Sequence, residues 1–159
     1  MPHVSARPAT VADIGVMGSL YGSLAEEMTP LSHMWPLADG LAEPVDQALQ
    51  VLLADDEVVA VIGTIDDVPF GFLVARIEAM LPQAEGRRIG SIRLLFVDHP
   101  AREVGVGEAM LDLALDTLRG RGVTTFDAHV LPGHRLVKNF FEAGGFKARS
   151  IVMSRFESV

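Results

Sequence analysis

The chain has 159 residues, a formal net charge of −8 and no cysteine, and 49% of its residues are hydrophobic. This composition argues against disorder, and the lack of cysteine excludes disulfides, a cysteine nucleophile and a thiolate metal site. The negative charge disfavours nucleic acid as a partner. No apolar run approaches the roughly 20 residues that cross a membrane. We expect one domain over residues 1–159, located in the cytoplasm.

The first half of the chain begins with a strand pattern and two helical patterns. Residues 4–7 predict a short first strand. Thr10 is a suitable N-cap for a helix over 11–27, whose apolar residues recur at helical spacing. Pro44 suits the first position of a second, shorter helix that continues to residue 53.

Three strand patterns follow, over residues 58–65, 70–80 and 91–97. A short polar turn joins the first two and a looser connection leads to the third, so these strands form an antiparallel meander. The third strand passes through a glycine-bearing turn into a helix over 108–119.

A strand over 123–130, a helix over 135–143 and a last strand over 146–156 complete the predicted order. The helix between the third meander strand and 123–130 requires a parallel, right-handed crossover. The pattern therefore predicts an α/β (α+β) fold, with a mixed central sheet that contains a β-meander and has helices on both faces.

Two glycines, Gly105 and Gly107, stand where the helix after the central strand begins. A helix N-terminus leaves main-chain N–H groups without partners and carries the positive end of the helix dipole. Glycines at such a turn let a phosphate approach the main chain closely. We therefore predict that this turn holds a pyrophosphate.

At these residues the chain resembles the GNAT superfamily of acyl-CoA-dependent N-acyltransferases. The acyl-CoA signature of the family is Arg or Gln, two residues, Gly, one residue, then Gly or Ala, and Arg102-Glu-Val-Gly105-Val-Gly107 matches it. Residues 131–146 are similar to the second signature, a helix closed by Gly-Phe. The resemblance implies the GNAT-like fold, acetyl-CoA as co-substrate, no metal, and transfer of an acetyl group to a primary amine by direct attack in a ternary complex.

The resemblance also implies which residues hold the cofactor. Main-chain groups of the central strand would bind the pantetheine arm, main-chain N–H groups of the glycine turn would bind the pyrophosphate, and the next strand would diverge to leave a slot. The implied cofactor-binding residues are Leu95, Phe96, Val97, Arg102, Glu103, Val104, Gly105, Val106, Gly107, Glu108, His134 and Phe141.

Three positions depart from the family pattern and leave the catalytic groups open. Phe141 stands where the family often has the tyrosine that protonates the leaving thiolate, and His134 stands where it often has asparagine. Arg93 lies near the position of a frequent glutamate base, and arginine cannot act as a base. The base is then His129, Glu78 or no dedicated group, and His134 is a candidate cofactor contact or proton donor.

The acceptor amine belongs to a small molecule or a peptide that the sequence does not specify. In such a fold the acceptor side lies in loops, here residues 28–43 and 81–90, and His33 and Trp35 are candidate substrate contacts. A large apolar ring in a loop is either a plug for the core or part of a binding wall, and for Trp35 we favour the plug. Two further readings stay open: a catalytically impaired acyl-CoA-binding or sensing domain of the same fold, and a homodimer formed through a sheet edge.

Overall fold

The computed structural model describes residues 1–80 and 82–157, so Leu81, the first residue of the predicted connection 81–90, lies outside the described residues. None of the helices in these ranges is long and apolar enough to cross a membrane. The described strands and α-helices follow in this order: β1 (Val4–Pro8), α1 (Ile14–Glu27), α2 (Val45–Ala54), β2 (Val58–Ile65), β3 (Val68–Ala79), β4 (Arg88–Val97), α3 (Val106–Gly120), β5 (Phe126–Ala128) and α4 (Arg135–Ala143).

The strands form one mixed sheet in the order β1-β2-β3-β4-β5. The first three pairs of neighbours are antiparallel, and β4 pairs with β5 in parallel. The helix α3 supplies the crossover between these two parallel strands. The mixed sheet, its meander and the parallel last pair confirm the predicted fold class.

Two hydrophobic clusters lie on opposite faces of the sheet. One contains Met17 and Leu49 from α1 and α2, together with buried residues of β2, β3 and β4. The other contains Met110 and Leu118 from α3. A Cβ built at Gly63 of β2 would lie 2.6 Å from Val106, so α3 packs directly on the sheet where the strand has no side chain. Helices therefore cover both faces, as predicted.

The strand β4 contains a bulge at Arg93. Val74 of β3 pairs with Leu94, but its neighbour Ala75 pairs with Ile92, so Arg93 is the extra residue. A bulge increases the local twist and bends the strand. The parallel pairing with β5 ends at Ile92, and beyond this point β4 has no strand neighbour on that side among the described residues. Beyond Ile92 the main chain of β4 is therefore open on the side of β5, and this open edge is called the slot below.

The C-terminal part of the chain corrects the sequence prediction. Residues 146–156, predicted as a last strand, have no regular secondary structure, and β5 has three residues where 123–130 was predicted. Alternating apolar residues make a strand only when a neighbouring strand satisfies the main chain. The predicted helix over 11–27 also begins with a separate 3₁₀ turn, Val11–Asp13, before α1.

An ion pair between the exposed Arg7 and the buried Asp13 joins β1 to the turn before α1. Nη1 and Nη2 of the Arg7 guanidinium donate to the Asp13 carboxylate at 2.8 Å, and the Thr10 N–H donates to the same carboxylate at 2.8 Å. The hydrogen bond from Arg7 lowers the pKa of Asp13, against the effect of burial, which would raise it. The charged form of Asp13 is therefore stabilised in the folded protein.

We expect Asp13→Asn to lower the free energy of unfolding by about 1–3 kcal/mol at pH 7, since the Arg7 and Thr10 donors lose a buried, charged acceptor. Because the folded-state pKa of Asp13 is depressed, its contribution is complete above the unfolded value of about 4 and disappears as the pH falls below it. Urea unfolding of both proteins from neutral to acidic pH tests this. A difference in stability that stays constant with pH contradicts the assignment.

Candidate active site

The turn before α3 presents a run of unpaired main-chain N–H groups. Glu103 and Gly105 have φ angles of 66° and 99°, and the first bond of the helix runs from Ala109 N–H to the Gly105 carbonyl at 3.0 Å. Within the described ranges, no protein acceptor bonds the N–H groups from Val104 to Glu108. Such N–H groups at the positive end of a helix dipole form a concave site for an anion.

The two glycines of this turn have different structural roles. Gly105 adopts a left-handed conformation, and a Cβ built on it would meet nothing within 4 Å. A Cβ on Gly107 would lie 2.9 Å from the ring of Phe140 in α4. A side chain at position 107 would therefore disturb the packing of α3 against α4, and the role of Gly107 in ligand approach stays a prediction.

The end of β4 exposes main-chain groups of alternate residues to the slot. The Asp98 N–H donates to the Phe70 carbonyl of β3 at 2.8 Å. Alternation along an antiparallel ladder then directs the main-chain groups of Phe96 towards β3 and those of Leu95 and Val97 away from it. The slot therefore receives the main-chain groups of Leu95 and the N–H of Val97, because the Val97 carbonyl accepts from Arg102, and the Phe96 side chain is buried.

Arg102 ties the glycine turn to the end of β4. Its Nε donates to the Val97 carbonyl at 2.8 Å, and one Nη donates to Glu27 Oε1 at 2.6 Å. Its guanidinium carbon lies 5.4 Å from the centre of the Phe96 ring. The side chain thus bonds to groups of the protein, and the cofactor contact that the resemblance implied for Arg102 stays a prediction.

Glu27, the last residue of α1, also accepts a hydrogen bond from His134. The His134 Nε2 and Glu27 Oε2 lie 3.0 Å apart, with both side chains largely buried. His134 immediately precedes α4, so the contact joins α1 to the far side of the slot. The more exposed His99 lies 3.9 Å from the other oxygen of Glu27. The sequence analysis missed Glu27, because nothing in its local spacing relates it to residues 75 and 107 positions away.

The bulge residue Arg93 contacts both predicted bases, Glu78 and His129. It donates from Nε to Glu78 at 3.0 Å, and from Nη1 to Asp39 at 2.8 Å and to His129 Nδ1 at 3.2 Å. Burial would lower the pKa of Arg93, but hydrogen bonds and charges from Glu78 and Asp39 raise it, so the guanidinium stays charged. Within residues 1–80 and 82–157, no cluster of three or more His, Asp or Glu is arranged to hold a metal ion.

This ion-pair cluster borders an open cleft of ≈ 360 Å³. Asp39, Arg76, Glu78 and Arg93 contribute charged groups to the cleft, and Leu41 and other apolar side chains complete its wall. Because arginine only donates, His129 accepts with Nδ1 and carries its proton on Nε2 when neutral. His129 therefore has no free lone pair while this contact holds.

The remaining predicted site residues lie elsewhere. His33 is exposed on the loop after α1. Trp35 is half-buried, with its ring centre 6.4 Å from that of Tyr21, whose hydroxyl accepts the Leu41 N–H at 2.7 Å. These contacts fit the role of a core plug for Trp35.

Phe141 is buried in the core on the α3 face of the sheet. Its ring makes edge-to-face contacts with Phe140 and Phe146, with centres 5.2 Å apart in both cases. The Phe141 side chain therefore packs in the core, and the cofactor contact that the resemblance implied for it stays a prediction. Glu103, Val104 and Glu108 are exposed around the start of α3, where the resemblance placed the pyrophosphate.

Comparison with known proteins agrees with this arrangement. Residues 21–146 match the model of the acetyltransferase (GNAT) family. The chain is 33% identical over 91 residues to mycothiol acetyltransferase from Propionibacterium freudenreichii subsp. shermanii, a match that covers 52% of this chain and 29% of that protein. The chain thus spans less than a third of that relative.

Solved structures show the same fold at low sequence identity. The ribosomal-protein-alanine N-acetyltransferase of Brucella melitensis biovar Abortus 2308 superposes with a TM-score of 0.75 at 19% identity, covering 98% of this chain and 100% of that one. A predicted acetyltransferase from Clostridium acetobutylicum, solved with acetyl-CoA, gives 0.72 at 15% identity, covering 97% and 96%. Since the family model spans most of the chain, the protein belongs to the GNAT family of acetyltransferases.

Proposed function

We propose that the protein transfers an acetyl group from acetyl-CoA to a primary amine of a small molecule or peptide. The observation that carries this proposal is the run of unpaired N–H groups from Val104 to Glu108, placed directly after a strand with an open edge. The related chain from Clostridium acetobutylicum, solved with acetyl-CoA, supports the choice of cofactor.

In this proposal the main chain binds acetyl-CoA at two places. The N–H groups at the start of α3 hold the pyrophosphate, where the helix dipole favours negative charge. The pantetheine arm runs along the open edge of β4, past Leu95 and Val97. The Leu95 N–H polarises the thioester carbonyl, and a donor aimed at developing negative charge lowers a barrier by ~3 kcal/mol.

Acetyl transfer then takes place by direct attack, since the chain has no cysteine to carry an acyl group. The amine nitrogen forms a bond to the carbonyl carbon, and the carbon–sulfur bond breaks. The amine loses one proton and the departing thiolate gains one. Holding both substrates in the slot supplies most of the rate enhancement through proximity and orientation.

His134 is the side chain best placed to move this proton. A carboxylate only accepts hydrogen bonds, so the contact with Glu27 places the proton of neutral His134 on Nε2 and leaves a lone pair on Nδ1. Nδ1 has no partner among the described residues, whereas His129 and Glu78 are both bound to Arg93. Nδ1 therefore accepts the amine proton and returns it to the thiolate.

A thiol-release assay with acetyl-CoA and a panel of amines tests the proposed function. The panel contains peptides, polyamines, amino acids and aminoglycosides. We expect release that depends on one class of amine and yields the N-acetylated product by mass spectrometry. Release that is independent of every amine, or absent throughout the panel, contradicts acetyl transfer to these acceptors.

The second candidate function is an acyl-CoA-binding or sensing domain without turnover. The cluster around Arg93 favours it, because a fixed cation stands where the family often has a base and engages both nearby candidates. This alternative expects acetyl-CoA to stabilise the protein, by ~2.7 kcal/mol at 100 times its dissociation constant, with no product. Thermal unfolding measured beside the thiol assay separates the two functions.

A further inference from the structure

The open cleft beside Arg93 has the size and the lining of a site for a small organic molecule. Its volume of ≈ 360 Å³ lies within the usual range of small-molecule pockets. Charged groups stand on one part of its wall, and aliphatic side chains form another part: Leu41, Leu52, Val74 and Leu94. A ligand that matches this lining combines a charged group with a short aliphatic chain.

The charge of the cleft favours a cation. Asp39 and Glu78 share Arg93 as their cation, so one negative charge is in excess. The other cation of the lining, Arg76, donates at 2.8 Å to Asp55, which does not line the cleft. A cationic ligand therefore completes the charge balance of this site.

Each of the two carboxylates keeps one oxygen available for such a ligand. Arg93 donates to Oε1 of Glu78 and to Oδ1 of Asp39, and within the described ranges no hydrogen bond reaches Oε2 or Oδ2. His129 Nδ1 lies 3.6 Å from Oδ2 of Asp39, but a neutral ring that accepts from Arg93 with Nδ1 has no proton to donate there. An ammonium group, with its three N–H donors, matches these charged acceptors.

A buried hydroxyl on the same face of the sheet also lacks a partner. Ser91 of β4 pairs with Arg76 of β3, and directly paired residues direct their side chains to the same face. Ser91 is 1% exposed, and its Oγ is the one buried side-chain polar atom without a hydrogen-bond partner within residues 1–80 and 82–157. Because native proteins rarely leave such an atom unsatisfied, we expect a polar group from outside the chain on this face.

We propose that the acceptor is a small linear diamine, one ammonium of which binds between Asp39 and Glu78. The inference rests on the proposed acetyl transfer and names the class of its acceptor. The bound cation is not the reacting amine, because carboxylates stabilise the ammonium form and only a neutral amine attacks a thioester. The other amine takes the acetyl group, with the same bonds formed and broken as above, which yields the mono-N-acetyl diamine and free coenzyme A.

The position of the cleft along β4 fits a diamine of this kind. Arg93 precedes Leu95, the proposed thioester contact, by two residues. Two residues of a strand span about 7 Å, which is roughly the length of a five-carbon diamine. The carbon chain then lies against the aliphatic part of the cleft wall while its two ends reach the carboxylates and the slot.

Calorimetric titration of 1,5-diaminopentane into the protein with saturating coenzyme A tests the cation site without turnover. We expect Asp39→Asn and Glu78→Gln each to weaken binding by about tenfold or more, because each removes a charged acceptor and keeps the size of the side chain. The matched control, Asp55→Asn, removes an equal charge from the ion pair with Arg76 and should leave the affinity unchanged. Unchanged affinity in either cleft variant, or an equal loss in all three variants, overturns the proposal.

Acetylation kinetics of the wild-type protein tests the choice of a diamine and depends on no variant. We expect kcat/KM for 1,5-diaminopentane to exceed the values for pentylamine and 5-aminopentanoate by about tenfold or more. Equal values for pentylamine overturn the diamine while acetyl transfer stands, and a preference for 5-aminopentanoate also overturns it, because Arg76 then selects a carboxylate. Diamine binding through Asp39 and Glu78 without thiol release contradicts acetyl transfer and supports the cation site.

Discussion

Gly105→Val should weaken acetyl-CoA binding by about 100-fold or more, equivalent to ~2.7 kcal/mol, while the protein remains folded. Gly105 supplies the left-handed residue of the turn whose N–H groups, from Val104 to Glu108, have no protein acceptor within the described ranges. A branched side chain shifts this turn and enters the open space into which these groups point. Titration calorimetry with acetyl-CoA measures the loss directly.

The matched control is Gly122→Val, at the other end of the same helix. Gly122 has a φ angle of 82°, and a Cβ built on it also meets nothing within 4 Å. Both substitutions therefore carry a similar backbone penalty, of order 1–3 kcal/mol in stability. Only the Gly105 variant should lose affinity. Wild-type affinity in Gly105→Val removes the pyrophosphate assignment, and equal losses in both variants attribute the effect to stability.

Gly107 is not a suitable position for this experiment, because a side chain there would disturb the packing of α3 against α4, which the sequence alone does not show. The strand, turn and helix around Gly105 are contiguous, so local pattern predicts them well. The need for glycine at position 107 arises from Phe140, which is 33 positions away in α4. A signature motif therefore identifies the turn correctly but does not separate a glycine needed for backbone conformation from one needed for packing.

Contacts between residues distant in sequence also explain why the two candidate bases, Glu78 and His129, are both bound to Arg93. Side-chain chemistry indicates Glu78 and His129, and the structure brings both to the slot side of the sheet. It also places them on one shared cation, Arg93, through a bulge that depends on the register between β3 and β4. Register is a property of two paired strands, so a single strand pattern does not show the bulge.

His134→Ala should lower kcat for acetyl transfer by about 10²-fold, the usual contribution of a positioned proton-transfer group. Glu27→Gln keeps the size and the hydrogen bond to Arg102 but removes the charge that supports protonated His134. We expect a smaller loss of kcat, about tenfold, in this variant. Steady-state kinetics over a range of pH measures both variants, with acetyl-CoA affinity determined in parallel.

His99→Ala is the matched control, because His99 also lies near Glu27 but at 3.9 Å and with its side chain 74% exposed. It should leave kcat and its pH dependence unchanged. In wild-type protein kcat/KM should depend on pH through the group that accepts the amine proton, and this dependence should vanish in His134→Ala.

The pH profile separates proton transfer from two simpler roles of His134. A lost cofactor contact weakens acetyl-CoA binding and leaves the shape of the profile unchanged. If His134 has a purely structural role, His134→Ala and Glu27→Gln both lower the stability of the protein, and the pH dependence of kcat/KM stays the same. Only loss of a proton-transfer group changes both kcat and the pH profile. If Glu27 acts through His134, Glu27→Gln should cause no further loss of kcat in a protein that already carries His134→Ala. The double variant measures this.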